Sequence, residues 1–337
     1  MINQGNKFKY ALIAAATCPI TIINQDMLLR ISIAFLLFIS AITTNAQDLK
    51  WIPFKWTGNT ISGRYFDKYA IVIPVKIENI PAKFNMQFDL GAVTTLIYGN
   101  SIQPYLDAYT DLKSKIDTSK KFLIQGANNP MFSNMSLHMG AASFEGIDVG
   151  YFKNFGRKIS PDSILSATEK HIGTIGPDLF QNKILIIDYL QKRIAVCEEL
   201  PKQYKAATFK PFKSNDGRPR IPLVINNKTE DVMFDTGSSL FTLLTIKKDA
   251  LQVASPEIVD SLMVTSWGKK ITNYGVKANK PIKFGNKVLN GSVVYYDEQE
   301  TFGEFYKLEK IWGLTGNTFF LNNTVIIDYK NKLFGVL

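Results

Sequence analysis

The sequence predicts an all-β protein built from two similar β-rich lobes with a central cleft. Three observations support this prediction. One short motif occurs twice, as Phe88-Asp89-Leu90-Gly91 and as Phe234-Asp235-Thr236-Gly237. A second, longer segment recurs at nearly the same offset. Strand signals with a period of two residues dominate the chain around these repeats, whereas helical stretches are few and short.

The repeats are long enough to be whole lobes. The two aspartate motifs lie 146 positions apart (235 − 89). The second segment runs from Gly173 to Ile186-Ile187-Asp188-Tyr189 and again from Gly313 to Ile326-Ile327-Asp328-Tyr329, an offset of 140 (313 − 173). Solenoid repeats have much shorter periods, of about 20–50 residues. Both copies keep the same order, so the chain reads as a duplication.

Individual strands and turns follow from local patterns. Alternation of apolar and polar residues predicts strands over 69–77, 83–88 and 292–296. The pair Gly285-Asn286 predicts a tight hairpin between the strands on either side of it. Short helices are predicted around 105–116, 161–170 and 255–263.

The lobe boundary is predicted in the polar segment 198–215, which contains Pro201, Pro211 and several lysines. The N-terminal lobe would then comprise residues 47–200 with the Asp89 loop. The C-terminal lobe would comprise residues 201–337 with the Asp235 loop.

Residues 1–46 have the pattern of a leader. Arg30 precedes an apolar stretch over 31–42, and Thr44-Asn45-Ala46 offers a small residue for cleavage. We expect a secretory signal peptide, with Met27 as a possible true start, and an exported protein that is periplasmic or extracellular. The alternative is a membrane anchor, but the apolar run is shorter than the roughly 20 residues that span a bilayer. We expect no stable membrane span after leader removal.

Net charge, cysteine count and residue usage further limit the classes of protein to which the chain could belong. The chain has 337 residues and a formal net charge of +10, with basic residues scattered and no recognisable nucleic-acid module. Of its two cysteines, Cys18 would be lost with the leader, leaving Cys197 and no internal disulfide. The richness in Asn, Lys and Ile favours a bacterial source.

The two motifs, with the later glycine segments Ile175-Gly176 and Leu314-Thr315-Gly316, resemble the pepsin-like aspartic proteases and their one-lobe retroviral relatives. In that family each lobe gives one Asp-Thr/Ser-Gly loop and a later apolar-apolar-Gly segment that passes under it. The resemblance covers residues 69–337 and implies the pepsin-like acid protease fold of a bacterial two-lobed member.

The resemblance implies a hydrolase that cuts a peptide or protein substrate, without cofactor or metal, as a monomer. Asp89 and Asp235 would be its catalytic groups. Two close carboxylates share a proton, so one can activate a water while the other hydrogen-bonds the scissile carbonyl. Gly91 and Gly237 allow the turns that point both carboxylates into the cleft. Thr236 and Ser238 would support the second loop.

The first motif departs from the family pattern at two positions. Leu90 stands where the family has a hydroxyl that ties the two aspartate loops together. Thr236 would therefore lack its symmetric partner. Ala92 stands where Ser238 stands in the second copy and cannot donate to a carboxylate. We therefore predict a raised pKa for the carboxylate pair and a pH optimum less acidic than that of gastric-type members.

The family closes its cleft with a hairpin flap. By position the flap would run from Gln125-Gly126 to Asn134, with Met131 and Phe132 where the pepsin branch has a tyrosine. An ordinary surface hairpin is the alternative.

Other functions stay open or are disfavoured. Leu90 favours a binding protein with the same fold and a weak or inactive centre, which would hold a peptide, a protein or a glycan. A self-processing protease is a third possibility. His138 and His171 lack ligands at zinc spacing, and Cys197 is interpreted as a small core residue.

Overall fold

The computed structural model describes residues 49–337 except residues 125, 267, 290 and 291. The predicted leader, with Met27 and Cys18, lies outside the described residues. The compact unit runs from Asp48 to Leu337. Of the described residues, 51% are in strands and 15% in helices, which confirms the all-β class.

The first half of the chain forms eleven strands, in order: β1 (Trp51–Pro53), β2 (Lys55–Ile61), β3 (Arg64–Ile77), β4 (Phe84–Phe88), β5 (Leu96–Tyr98), β6 (Ile116–Ile124), β7 (Ala127–Met139), β8 (Ala142–Phe152), β9 (Lys170–Ile175), β10 (Ile184–Asp188) and β11 (Arg193–Cys197).

The second half forms twelve strands, in order: β12 (Thr208–Pro211), β13 (Arg220–Ile225), β14 (Lys228–Phe234), β15 (Leu243–Leu244), β16 (Ala254–Ser266), β17 (Lys269–Ala278), β18 (Ile282–Phe284), β19 (Lys287–Val288), β20 (Val293–Tyr296), β21 (Gly313–Thr315), β22 (Thr324–Asp328) and β23 (Leu333–Val336).

Helices are short. The α-helices are α1 (Gly99–Ala108), α2 (Thr110–Ser114), α3 (Lys247–Val253) and α4 (Gly303–Glu309). Single 3-10 turns are Pro161–Ser163, Pro177–Phe180, Lys202–Tyr204 and Thr318–Phe320.

The strands form three sheets, and two of them repeat one local topology. The eight-stranded sheet has the order β2-β3-β4-β9-β5-β8-β7-β6, and the nine-stranded sheet has the order β16-β17-β20-β15-β21-β14-β13-β18-β19. In the first, β4 runs parallel to β9, which pairs antiparallel with β5. In the second, β14 runs parallel to β21, which pairs antiparallel with β15. The sequence repeat is therefore also a repeat of strand pairing.

The six-stranded sheet joins the two copies, in the order β1-β11-β10-β22-β23-β12. At its centre β10 pairs antiparallel with β22, and Ile186 lies opposite Ile326. These two residues are related by the repeat offset of 140 (326 − 186). Equivalent residues of the two copies thus face each other, as expected at a local two-fold axis. The segment predicted as the lobe boundary contributes β12 to this sheet, so it is tied to the core.

The core is continuous and lies behind both aspartate motifs. Phe88 and Phe234, which precede the two aspartates, are fully buried, as are Phe320 and Phe334. Phe334 contacts Phe234 and Phe320 with ring centroids 5.2 and 5.8 Å apart. Burying one such side chain contributes about 1.5–3 kcal/mol, so the core also fixes the strands that carry the motifs.

Most local predictions are confirmed. The predicted strands fall in β3, β4 and β20. The Gly285-Asn286 hairpin is present between β18 and β19, with Phe284 opposite Lys287 and Gly285 at a φ of 56°. A positive φ favours glycine at that turn.

The helix predictions are partly wrong. Residues 255–263, predicted as a helix, lie within β16, where Leu262 pairs with Asn273 of β17. The β-branched Ile258 and Val259 suit a strand, and pairing with a neighbouring strand overrides a weak helical pattern. In the predicted helix 161–170 only the 3-10 turn Pro161–Ser163 forms. The helix near 105–116 begins earlier, at Gly99, and is followed by α2.

We expect Phe334→Ala to lower the free energy of unfolding by about 3–5 kcal/mol, because it empties a fully buried aromatic site. Urea unfolding followed by fluorescence measures the loss. Leu308→Ala is the control, since Leu308 is 78% exposed. Equal stability losses in both variants would contradict this view of the core.

Candidate active site

Asp89 and Asp235 occupy equivalent places in the two copies. Each follows the last residue of a buried strand. The Asp89 N–H donates to the Ile175 carbonyl at 3.0 Å, and the Asp235 N–H donates to the Thr315 carbonyl at 2.9 Å. Both carbonyls belong to the strand that precedes the later glycine of the repeat. The repeated segment therefore anchors each aspartate from the side.

The structure brings the two aspartates together through the glycines of the opposite loops. A Cβ atom placed on Gly91 would lie 2.5 Å from Cγ of Asp235. A Cβ atom placed on Gly237 would lie 2.6 Å from Cγ of Asp89. Contacts this short are not accommodated unless the carboxyl group moves. Besides allowing the predicted turns, these two glycines leave room for each carboxyl group to pack on the backbone of the opposite loop.

Backbone N–H groups orient each carboxyl group within its own loop. The Gly91 N–H donates to Oδ1 of Asp89 at 2.9 Å, and the Gly237 N–H donates to Oδ1 of Asp235 at 2.8 Å. The two carboxyl groups also lie close enough for the charge of Asp235 to act on Asp89. Two close carboxylates do not both ionise cheaply, so the pair favours holding one proton.

Burial and mutual repulsion raise the pKa of the pair. The pKa of Asp89 is held well above its ordinary value, first by burial and then by the negative charge of Asp235. Burial also raises the pKa of Asp235, while interaction with Asp89 and with the N–H groups of Gly237, Gly91 and Ser238 opposes the rise. The two groups titrate as a coupled pair, which holds a proton to higher pH than an isolated aspartate does. The direction agrees with the expectation from Ala92, although burial is the leading cause.

Thr236 bridges the two loops on its own. Its fully buried Oγ1 donates to the Phe88 carbonyl at 3.0 Å and accepts from the Leu90 N–H at 2.9 Å. Leu90 is fully buried in the core instead of forming the mirror-image bridge. The Thr236 hydroxyl is thus fully used, and the departure at Leu90 removes one bridge but leaves no unpaired threonine.

The later glycines pass directly beneath the loops. A Cβ atom on Gly176 would lie 2.5 Å from the carbonyl carbon of Thr94, and one on Gly316 would overlap the carbonyl oxygen of Ser238. The predicted support from Ser238 is therefore supplied by its backbone: its N–H also donates to the Asp235 carbonyl at 3.1 Å.

Two polar residues beneath the loops were missed by the sequence reasoning. In the first copy, the Asp178 carboxylate accepts from Thr94 Oγ1 at 3.0 Å and from the Thr95 N–H at 2.7 Å. In the second copy, Asn317 Nδ2 donates to the Thr236 carbonyl at 2.8 Å. Both residues lie just after the repeated glycines, in Gly176-Pro177-Asp178 and Gly316-Asn317. Their position beside a repeated glycine was the sequence signal that could have identified them.

A hairpin of β6 and β7 is present where the flap was predicted, although Gln125 lies outside the described residues. The assignment of this hairpin as a flap stays a prediction. Phe132 is fully buried and packs on Tyr151, with ring centroids 5.1 Å apart. Residues alternate across a strand, and this register turns Phe132 into the core.

The remaining titratable candidates make local contacts. His138 and His171 hydrogen-bond to Ser143 and Asn85. Cys197 is buried, which raises the pKa of its thiol to about 11, as suits a core residue. Within the described part of the chain, no group of three or more His, Cys, Asp or Glu side chains is placed to hold a metal ion.

The chain matches no protein-family model and no curated protein. Over the residues that the structure covers, no helix is long and apolar enough to cross a membrane.

We expect Gly237→Ala to push the Asp89 carboxyl group away from the opposite loop. Separation weakens the repulsion between the carboxylates, so the pKa of Asp89 should fall toward its ordinary value. Carboxyl-carbon NMR titration measures the shift. Gly303→Ala is the control, because its added Cβ would meet only ordinary contacts, the nearest at 3.4 Å. An unchanged Asp89 titration in Gly237→Ala would contradict the reciprocal packing.

We expect Asp89→Asn to stabilise the protein near about pH 7. Because the folded-state pKa of Asp89 is raised, the folded protein holds a proton that the unfolded chain releases, so stability falls as pH rises between the two pKa values. The amide introduced by Asp89→Asn does not ionise, so the variant avoids this loss of stability. Thermal unfolding should give a higher Tm for Asp89→Asn near neutrality, with the difference vanishing below about pH 4. A Tm below that of the wild type at neutral pH would refute the assignment.

Proposed function

We propose that the protein is an aspartic endopeptidase. The observation that supports this best is the meeting of Asp89 and Asp235, two half-buried carboxyl groups from equivalent positions of a duplicated chain, each packed on the glycine of the opposite loop. A pair that shares one proton offers a base and an acid at the same point. Peptide hydrolysis by an activated water needs both groups there.

The proposed mechanism assigns a different role to each carboxyl group. Asp235, whose pKa is raised less than that of Asp89, is ionised and takes a proton from a water lying between the two groups. The resulting hydroxide attacks the carbonyl carbon of the scissile peptide. Asp89, which holds the shared proton, hydrogen-bonds the carbonyl oxygen and donates that proton as charge develops. The proton on Asp235 then passes to the leaving amine as the C–N bond breaks, and a hydroxyl group of the tetrahedral intermediate returns a proton to Asp89. The hydrolysis needs no covalent intermediate.

Fold, location and assembly belong to the same proposal. The resemblance to pepsin-like proteases is supported by the repeated strand pairing around each aspartate and by the glycine segments beneath the loops. We accordingly keep the division into lobes 47–200 and 201–337, export with removal of residues 1–46, and a monomer that acts on peptides or proteins.

The second candidate is a binding protein that holds a peptide, a protein or a glycan without cutting it. One observation favours it: Leu90 provides no bridging hydroxyl, so a single threonine links the aspartate loops. Small errors in the placement of reacting groups cost large factors in rate, so a loosened pair would bind but turn over slowly.

The protein lacking residues 1–46 should cleave peptides from a denatured-protein digest. We expect the cleavage optimum to lie above strongly acidic pH, because the raised pKa of Asp89 keeps one proton on the pair as the pH rises. Mass spectrometry over about pH 3 to pH 8 measures this.

Asp89→Asn and Asp235→Asn should both abolish cleavage, while Asp67→Asn, on an exposed strand position, should retain it. Full activity in either dyad variant would exclude the mechanism. Peptide binding by a folded wild type that cleaves at no pH would favour the binding protein.

A further inference from the structure

A chain of three buried polar groups lies beneath the Asp235 loop. The Tyr189 hydroxyl donates to Oδ1 of Asn317 at 2.5 Å. Nδ2 of Asn317 donates to the Thr236 carbonyl and to Oγ of Ser239, both at 2.8 Å. Asn317 is fully buried and Tyr189 is 3% exposed. Asn317 therefore uses both ends of its amide, one toward the tyrosine and one toward the loop.

This chain of hydrogen bonds connects the two copies of the repeat. Tyr189 ends the Ile-Ile-Asp-Tyr segment of the first copy, whereas Asn317 follows the glycine segment of the second. Thr236 is consequently held at two points. Its hydroxyl forms hydrogen bonds with Phe88 and Leu90 of the first loop. Its carbonyl accepts a hydrogen bond from Asn317, which in turn is hydrogen-bonded to Tyr189 of the first copy.

The equivalent positions of the other copy lack this arrangement. Pro177 takes the place of Asn317 (317 − 140), and Leu90 takes the place of Thr236 (236 − 146). Tyr329 takes the place of Tyr189, and its buried hydroxyl has no hydrogen-bond partner among the described residues. The bonds of Asp178 to Thr94 and Thr95 stay within the first copy. The hydrogen bonds that link Tyr189, Asn317 and Thr236 therefore lie on the Asp235 side of the carboxyl pair.

We propose that Tyr189 and Asn317 are positioning residues that set the Asp235 loop against the Asp89 loop, in place of the bridge that Leu90 does not make. The inference rests on the proposed function where it concerns turnover. Neither residue is assigned a contact with substrate or with the reacting atoms. Their role is to fix Thr236, and through Thr236 the distance and orientation of the two carboxyl groups.

The chemistry of the chain suits this role. Burial raises the pKa of the Tyr189 hydroxyl well above its ordinary value, so it remains a donor to higher pH than an exposed tyrosine would. Stacking on Trp56, with ring centroids 6.4 Å apart, holds the ring in place. Without the hydroxyl, Oδ1 of Asn317 would lose its donor in a dry site, and the amide would be free to turn away from Thr236.

Tyr189→Phe tests the inference, with Tyr329→Phe as a matched control. Both substitutions remove one buried hydroxyl from symmetry-related tyrosines and keep the packing. We expect kcat for peptide cleavage to fall about tenfold in Tyr189→Phe with KM unchanged, because misplacement of the carboxyl groups affects the transition state more than substrate binding. Tyr329→Phe should keep kcat within about twofold of the wild type.

Hydrogen exchange of the Leu90 amide gives a readout that needs no activity. This N–H donates to Oγ1 of Thr236, so it reports directly on the link between the loops. We expect its exchange to accelerate about tenfold in Tyr189→Phe and to be unchanged in Tyr329→Phe, when each variant is measured at the same interval below its own Tm.

The two readouts separate the two proposals. An inactive wild type in which Leu90 exchange accelerates only in Tyr189→Phe would refute the peptidase and support the positioning role. An active wild type in which Tyr189→Phe changes neither kcat nor Leu90 exchange would overturn the inference. Equal changes in both tyrosine variants would overturn it as well, since they would show a general loss of packing.

Discussion

The reciprocal packing of each aspartate carboxyl group on the glycine of the opposite loop constrains both loops. It requires two loops of the same shape to approach head to head, with no side chain at Gly91 or Gly237. That approach is available because each loop ends a buried strand anchored to a parallel neighbour. The pairing of Ile186 with Ile326 relates the two copies by a local two-fold axis. Duplication thus provides the symmetry that the contact needs.

The symmetry does not extend to the polar links around the carboxyl pair. Thr236 bridges the loops from one side, while Leu90 fills the equivalent place with an apolar side chain. A buried leucine contributes packing but forms no directional hydrogen bond, whereas the threonine hydroxyl forms hydrogen bonds with two partners at once. The two aspartates differ as well, because the pKa of Asp89 is raised further than that of Asp235. The proposed mechanism uses this difference to assign the base to Asp235 and the acid to Asp89.

Burying two carboxyl groups opposes folding, and the protein tolerates this because a large core surrounds the site. Fully buried aromatic residues, including Phe88 and Phe234, directly precede both aspartates. The same burial that opposes folding raises the pKa of Asp89, and the proposed chemistry uses the proton that the pair then holds. The two proposed functions differ in how firmly the loops must be placed, which depends on the Thr236 bridge and on the groups beneath it.

The sequence by itself determined the all-β class, the duplication and the two aspartate loops, because these depend on local pattern and on repetition that is visible in one chain. It also indicated the glycine turns and the Gly285-Asn286 hairpin. It misassigned 255–263 as a helix, since pairing with the next strand, β17, overrides a weak helical pattern. Only the tertiary structure decided that Thr236 keeps both hydrogen-bond partners beside Leu90, and that Tyr189 reaches Asn317 across 128 positions. Such contacts are created by packing two copies together, and no local pattern encodes them.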